Sequence, residues 1–317
     1  MPKKVNSISF IVPTYRRPDV LVQCLKALNE MERASDLDVE IRVYDNGAPA
    51  DSRDTVASVR SEIPVNYRLN KAGHGLGYSL SLGAAEATSD IIVELNDDAL
   101  VGTDFLQRVL SIFESDESIG VIGVRAIEEE YQSSEASIGA IDAKTLEVRG
   151  NFDRPTAGVI DVEHVYGFCY AYRREILDRG AVHDSVLLAK DYSSGNRIET
   201  DQCLSARKLG YRVVYDGSIA VEHLAKPRPD LDETSLNWKL NHWRNTLYLY
   251  LKHYGLWGRN LIAIRFACSH LGLLSLFRKP TKTNLLYFLT GLKARASAFL
   301  HWLKHLLTRR TWRPLTR

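Results

Sequence analysis

The stretch "VELNDDAL", residues 93–100, ends an apolar run on an amide and two adjacent carboxylates, Asn96, Asp97 and Asp98. Neighbouring carboxylates repel one another and resist leaving water, so the cluster calls for a cation or for a solvated turn. A turn is the plainer reading, because Asp is a common N-cap and a helical pattern opens at Thr103. A second acidic centre lies in "RIETDQC", where Glu199 and Asp201 stand at a helix start. Carboxylates there suit general-base work, and they also compensate a helix dipole. His223 closes the strand pattern "SIAVEH"; an imidazole in that place is either a metal ligand or an ordinary satisfied histidine.

The elements that would position these residues alternate between strand and helix. "ISFIVPTY" reads as a buried strand, "PDVLVQCLKALNEM" as a helix opened by Pro18, and "EIRVYDNG" as a second strand ending in turn residues. "NYRL", a helix near residues 75–88, "DIIVEL" and a helix from Thr103 continue the series. The pattern predicts an α/β open sheet, whose ligands bind outside the carboxyl ends of its strands. "PTY", "DNG" and "NDD" would share that edge. Beyond residue 120 the pattern is irregular, with "EEEYQSSEASIG" as a loop and Glu128 to Glu130 as a solvated face. Helices at 171–179 and 200–209 and a strand pair, "YRVVY" and "IAVEH", complete the domain.

Charge divides the chain more sharply than its net +2 suggests. Of the 41 Lys and Arg, 15 follow Glu233, while none of the 39 Asp and Glu does, so residues 1–233 carry −13 and residues 234–317 carry +15. An acidic catalytic body and a basic C-terminal part facing something anionic are expected. In that part Leu285, Phe288, Leu289, Leu292, Phe299, Leu303 and Leu306 recur at helical spacing, with Lys293, Arg295, Lys304 and Arg309 nearby. This is a basic amphipathic helix, shorter in apolar run than the roughly 18 residues of a membrane span. The four cysteines, Cys24, Cys169, Cys203 and Cys268, show no metal or CxxC spacing and read as buried thiols of a reducing compartment. "MPKKVNSISF" runs straight into a strand without the pattern of a signal peptide.

Other chemistries find little support. "GHGLGYSLSLG" imitates a dinucleotide loop, but Tyr78 stands where the third glycine belongs and the stretch does not follow the first strand. Neither a Walker loop nor a GxSxG elbow occurs.

The linear order "IVPTYRRP", "VYDNGAPADS", "VELNDDAL", "GFCYAYRREIL", "RIETDQCLSARKLGYRVVYDGSIAVEH" resembles the inverting nucleotide-sugar glycosyltransferases of family 2, over residues 5–255. The resemblance implies the GT-A fold, a Rossmann-like open mixed sheet flanked by helices, here with a basic helical extension. It implies a catalytic domain at 1–232, with a nucleotide-binding half at 1–125 and an acceptor-side half at 126–232, and a C-terminal region at 233–317. Donor contacts would fall on Pro13, Thr14, Tyr15, Asp45, Gly75, Asn96 and Asp97. Gly73 stands where the family often has Asn. Asp98 and His223 would hold Mg²⁺ or Mn²⁺, which offsets the charge of a departing diphosphate. Glu199 aligns with the family's base and Asp201 with its last acid, Ile198 replacing a Glu; which of the two carboxylates is the base stays open. Gly167, Phe168 and Trp243 would face the acceptor.

The resulting expectation is a metal-dependent enzyme that moves a sugar from a UDP-sugar, or next a dTDP-sugar, to a hydroxyl of a saccharide or lipid-linked glycan in surface polysaccharide synthesis. It would work in the cytoplasm, peripherally on the inner face of an anionic membrane, as a monomer or oligomer. The rival readings are an inactive or RNA- or membrane-binding relative and, further off, a sugar nucleotidyltransferase, whose Gly-rich basic loop after strand one is replaced here by "PTYRRP".

Overall fold

Three consecutive parallel strands put the polar clusters on one edge. The computed structural model describes residues 4–48, 50–72, 74–128, 137–142, 147–188, 197–225, 235–255 and 280–308. Strand β1 (Ser7–Thr14) leads through α1 (Pro18–Asn29) to β2 (Asp38–Asp45), α2 (Arg53–Ser58) and β3 (Val65–Leu69). Helix α3 (Leu76–Glu86) then returns the chain to β4 (Ile91–Leu95), β5 (Ala99–Leu100) and α4 (Phe105–Ser115). The chain continues as β6 (Ile119–Ile127), β7 (Ala140–Ile141), β8 (Val148–Arg149), β9 (Val159–Asp161), β10 (Cys169–Arg173) and α5 (Glu175–Asp178). Helix α6 (Ile198–Lys208), β11 (Arg212–His223), α7 (Leu236–Tyr254) and α8 (Lys282–Thr308) complete it.

The main sheet runs β3-β2-β1-β4-β10-β6-β11-β5, with β9 also pairing β11. Strands β1, β2, β3 and β4 are mutually parallel, and β10 lies antiparallel between β4 and β6. Strands β1 and β4 are buried along nearly their whole length, as expected for parallel strands covered on both faces. Pro18 at the first turn of α1, followed by buried Leu21, Cys24, Leu25 and Leu28, shows why that helix forms and which stripe it lays on the sheet. Cys24, Cys169 and Cys203 are buried free thiols.

Several expected elements differ. Of the helix expected at 171–179, residues 171–173 belong to β10, and only the four residues of α5 are helical. "CYAYR" is buried at every position, so its sequence lacks the alternation that marks a one-sided strand. The expected strand pair at 211–223 is one strand, β11, with a register irregularity between Asp216 and Ala220 where "DGS" imitates a turn. Strand β6, unread in the sequence for the same two-sided burial, is the partner of both β10 and β11. Gly77 of the dinucleotide-like stretch serves packing: a Cβ there would stand 2.9 Å from Ile198 and from Leu188, so glycine lets α3 approach the start of α6. Gly73, Glu129, Glu130 and Arg309 lie outside the described residues.

Candidate functional site

Strand β5 explains how two parts of the sequence more than a hundred residues apart meet. It follows directly on Asp98 and pairs antiparallel with the end of β11, setting Ala99 against His223. The Leu224 amide also donates to the Asp98 carbonyl at 2.9 Å. As a result His223 Nε2 stands 3.5 Å from Asp98 Oδ1. On its other side His223 Nδ1 lies 2.6 Å from Glu128 Oε1, and the Tyr166 hydroxyl donates to the same oxygen at 3.2 Å. Glu128, expected on a solvated face, is therefore a half-buried orienting carboxylate; its exposure is 16%.

The "NDD" cluster is compensated by a cation from its own chain. The Arg17 guanidinium is buried, donating to Asp98 Oδ2 at 2.9 Å and to Asp97 Oδ1. Thr14 Oγ1 donates to Asp97 Oδ2 at 2.7 Å. Asp97 thereby ties the end of β1 to the end of β4, and both of its oxygens are engaged. Parallel register places Thr14 beside Asp45. Asp45 in turn accepts from the Gly47 and Ser52 amides and from the Tyr67 hydroxyl, all within 2.8 Å, and so shapes the loop that follows β2. Pro13 and Thr14 are buried, Tyr15 and Asn96 are half-buried, and Gly75 caps α3. The Asn96 amide donates to the Phe168 carbonyl at 2.8 Å, closing the strand end against β10.

The arrangement fits a divalent cation without forming a complete cage. Asp98 Oδ1 and His223 Nε2 are an oxygen and a nitrogen donor separated by about the span that two ligands of one ion take, and Glu128 fixes the ring as outer-shell carboxylates do. Among the described residues no group of three or more His, Cys, Asp or Glu could hold a metal alone. The remaining positions would fall to phosphate oxygens and water, the usual situation for Mg²⁺ in phosphate chemistry. Burial opposes charge on His223, yet its contacts with Asp98 and Glu128 outweigh that and raise its pKa. The same carboxylates that favour a proton there would favour a metal ion.

Beside this centre a cavity of about 340 Å³ is lined by Glu128, Asn151, Phe152, Asp153, Tyr166, Arg197 and Glu199. Glu199 sits in the first turn of α6, and Gly167 makes room for it, since a Cβ there would come within 3.2 Å of Glu199 Oε2. Burial raises the Glu199 pKa, partly offset by backbone hydrogen bonding and by Arg197. Asn151 and Arg197 hold positive φ, 56° and 79°, as does Arg16 beside Arg17, at 51°. Left-handed backbone at non-glycine residues costs about 1–2 kcal/mol each and concentrates at functional sites. Tyr166 joins the two halves: burial and the charges of Glu128, Asp98 and Glu199 all push its phenol pKa up.

Three of the expected site residues, Phe168, Asp201 and Trp243, are not among the described residues that line the cavity. Phe168, placed on the acceptor side by the sequence, is 1% exposed in the main core, its ring 4.9 Å from that of His223; Tyr166, two residues earlier, supplies the cavity's exposed ring. Asp201 does not line the cavity. It is fully buried, with Lys252 Nζ at 2.7 Å and His253 Nε2 at 2.6 Å, and it fastens α6 to α7. Trp243 is half-buried on α7. His164 is a buried ring whose Nε2 lies 3.0 Å from the Arg149 carbonyl, with its pKa pushed down by burial to about 4, so it is neutral.

Comparison with known proteins bears on the family and the fold. The family description "Glycosyl transferase family 2" matches residues 9–180. The succinoglycan biosynthesis protein ExoM of Rhizobium meliloti is 31% identical over 130 residues, 40% of this chain and 41% of that protein. The chain spans 35% and 41% of the length of two curated relatives it matches. Among solved structures, S. aureus TarS 1-349 in complex with UDP-GlcNAc superposes with a TM-score of 0.62 at 12% identity, covering 97% of this chain and 93% of that one. The mannosyltransferase PcManGT from Pyrobaculum calidifontis, in complex with GDP-Man and Mn²⁺, gives 0.54 at 15% identity, covering 96% and 89%.

Proposed function

Since the chain belongs to glycosyl transferase family 2, we propose that it transfers a sugar from a nucleotide diphosphate donor, UDP-sugar first and dTDP-sugar next, to an acceptor hydroxyl with inversion at the anomeric carbon. The observation that carries this reading is the position of Glu199, a desolvated carboxylate on the wall of a polar, aromatic-faced cavity beside the Asp98–His223 centre. Glu199 takes the proton from the acceptor hydroxyl as its oxygen attacks the anomeric carbon; the carbon–oxygen bond to the diphosphate breaks on the opposite face. Its pKa, raised by burial, makes it a stronger proton acceptor than a solvated carboxylate. Tyr166 and Phe152 offer apolar faces for a sugar ring, and Asn151, Asp153 and Arg197 offer hydrogen bonds to its hydroxyls. A saccharide or lipid-linked glycan acceptor, as in surface polysaccharide synthesis, suits that lining.

On the donor side Thr14, Asp45 and Asn96 define the nucleoside edge, with Pro13, Tyr15 and Gly75 beside them. Asp98 and His223 would hold Mg²⁺ or Mn²⁺, which when bound offsets charge on the leaving diphosphate. Arg17 neutralises Asp97 and part of Asp98 and so keeps the strand ends together before the donor arrives.

Two variants test the metal assignment. Asp98→Ala should abolish the Mn²⁺ stimulation of UDP binding measured by titration calorimetry; unchanged UDP affinity and unchanged Mn²⁺ dependence would sink the assignment. Glu128→Gln keeps the shape of the side chain but weakens its hold on His223 Nδ1, and should lower Mn²⁺ affinity about tenfold, the lower end for outer-shell changes.

A further inference from the structure

Helix α8 is docked by its small side and turns its large apolar side outward. Gly291, Ala294, Ala298 and Trp302, spaced three and four apart, form its buried face. Ala298 and Trp302 share an apolar cluster with Leu247, Tyr248 and Leu251 of α7 and with Leu187 and Ile198. The opposite face carries Leu285, Leu289, Leu292, Phe299, Leu300 and Leu307, between 42% and 85% exposed. A soluble surface helix has the reverse polarity. Lys282, Lys293 and Lys304 recur every eleven residues, which returns each to nearly the same angle, so they form one exposed row along an edge of the apolar ridge. The helix has 27 residues, a ridge about 40 Å long at the usual rise per residue.

From this polarity we propose that α8 lies in the headgroup boundary of an anionic bilayer, apolar ridge inward and lysine row against acidic headgroups. Charge selects the occupant. A second copy pairing ridge to ridge would bring two lysine rows together, and no Asp or Glu follows Glu233 to answer them. An acidic leaflet answers every one of these cations, while the leucines and Phe299 leave water. Among the described residues no helix is long and apolar enough to cross a membrane, so α8 lies on the surface rather than spanning. Because its inner face packs with Ile198, the neighbour of Glu199, the seated helix and the candidate base belong to one packed unit. The proposal is independent of the donor chemistry above.

The test is flotation of the full chain with vesicles of phosphatidylcholine alone and with about 30 mol% phosphatidylglycerol added. Wild type should float with the anionic vesicles only and be released at about 0.5 M salt. The combined variant Leu289→Glu/Phe299→Glu should not float. The triple variant K282Q/K293Q/K304Q should partition roughly 100-fold more weakly, from three lost headgroup attractions. All three proteins should show the same far-ultraviolet circular dichroism and the same Tm, which shows that each is folded without relying on the proposed reaction. Wild type that floats with neither vesicle, or variants that float as well as wild type, would overturn the proposal. So would a wild-type dimer in sedimentation equilibrium that Leu289→Glu/Phe299→Glu splits with no vesicle binding by either protein.

Discussion

Glu199→Gln should lower turnover by about a hundredfold or more, at the lower end of what a general base contributes, and leave donor affinity unchanged. Gln matches Glu in size and can keep the hydrogen bond from Thr200 Oγ1, which lies 3.2 Å from Glu199 Oε1, but it cannot accept the acceptor's proton. The cavity and the Asp98–His223 centre do not depend on its charge, so loss should fall on kcat and not on UDP binding. The pH profile gives a second readout. Burial raises the Glu199 pKa, and below that pKa the group is protonated and inactive as a base. Wild-type kcat should therefore fall on the acid side with a midpoint above the ordinary Glu value of about 4.3. A Glu199→Gln enzyme should show no such limb in its residual rate. If that variant turns over at the wild-type rate, the base lies elsewhere.

The sequence was legible where local chemistry and spacing decide structure. Pro18 announced α1, and alternation of strand and helix led to the right class of sheet, with "PTY", "DNG" and "NDD" at neighbouring strand ends. Legibility failed where burial is two-sided. "GVIGVRAI" and "CYAYR" pack on both faces and show no period, so the sequence pattern does not reveal β6 or that residues 171–173 are strand. That omission hid Glu128. Placed just after an unread strand, it looked like the first acid of a solvated run, whereas β6 carries it to His223.

Long-range ion pairs were illegible for another reason. Nothing local distinguishes Arg17 from Arg16, yet Arg17 reaches Asp97 and Asp98, 80 and 81 residues away, because α1 starts at the edge where β4 ends. The doubled Arg in "PTYRRP", close to the strand end that faces the acidic cluster, was a usable signal. Tyr166 could have been inferred from the aromatic run "YGFCYAY", but only the fold shows that Phe168 turns into the core and Tyr166 toward the cavity. The charge division at Glu233 was plain in the sequence; the outward polarity of α8 was not, because an amphipathic stripe does not reveal which of its faces is docked.

Asp201→Asn should destabilise the fold by about 3 kcal/mol, the lower end of the cost of breaking a buried ion pair, and lower Tm by roughly 4–5 °C for a chain of this size. Burial disfavours the Asp201 carboxylate, but attraction to Lys252 and the hydrogen bond from His253 outweigh burial and hold its pKa far below the ordinary carboxylate range. Burial, with help from Lys208 and Lys252, lowers the His253 pKa despite Asp201, so His253 donates as a neutral ring and Lys252 carries the charge. Asn cannot neutralise that ammonium. Asp184, whose Oδ2 also accepts from Lys252 at 2.8 Å, limits the loss. The sign with pH follows. A carboxylate whose folded pKa is depressed stabilises fully above its unfolded pKa, about 3.9, and that stability fades as pH falls toward the folded value. The difference in unfolding free energy between wild type and Asp201→Asn should therefore be constant near neutrality and shrink below about pH 4. Turnover at a temperature where both proteins are folded should change far less than in Glu199→Gln. Should Asp201→Asn instead lose turnover about a hundredfold at unchanged Tm, while Glu199→Gln keeps it, the two carboxylates must exchange roles.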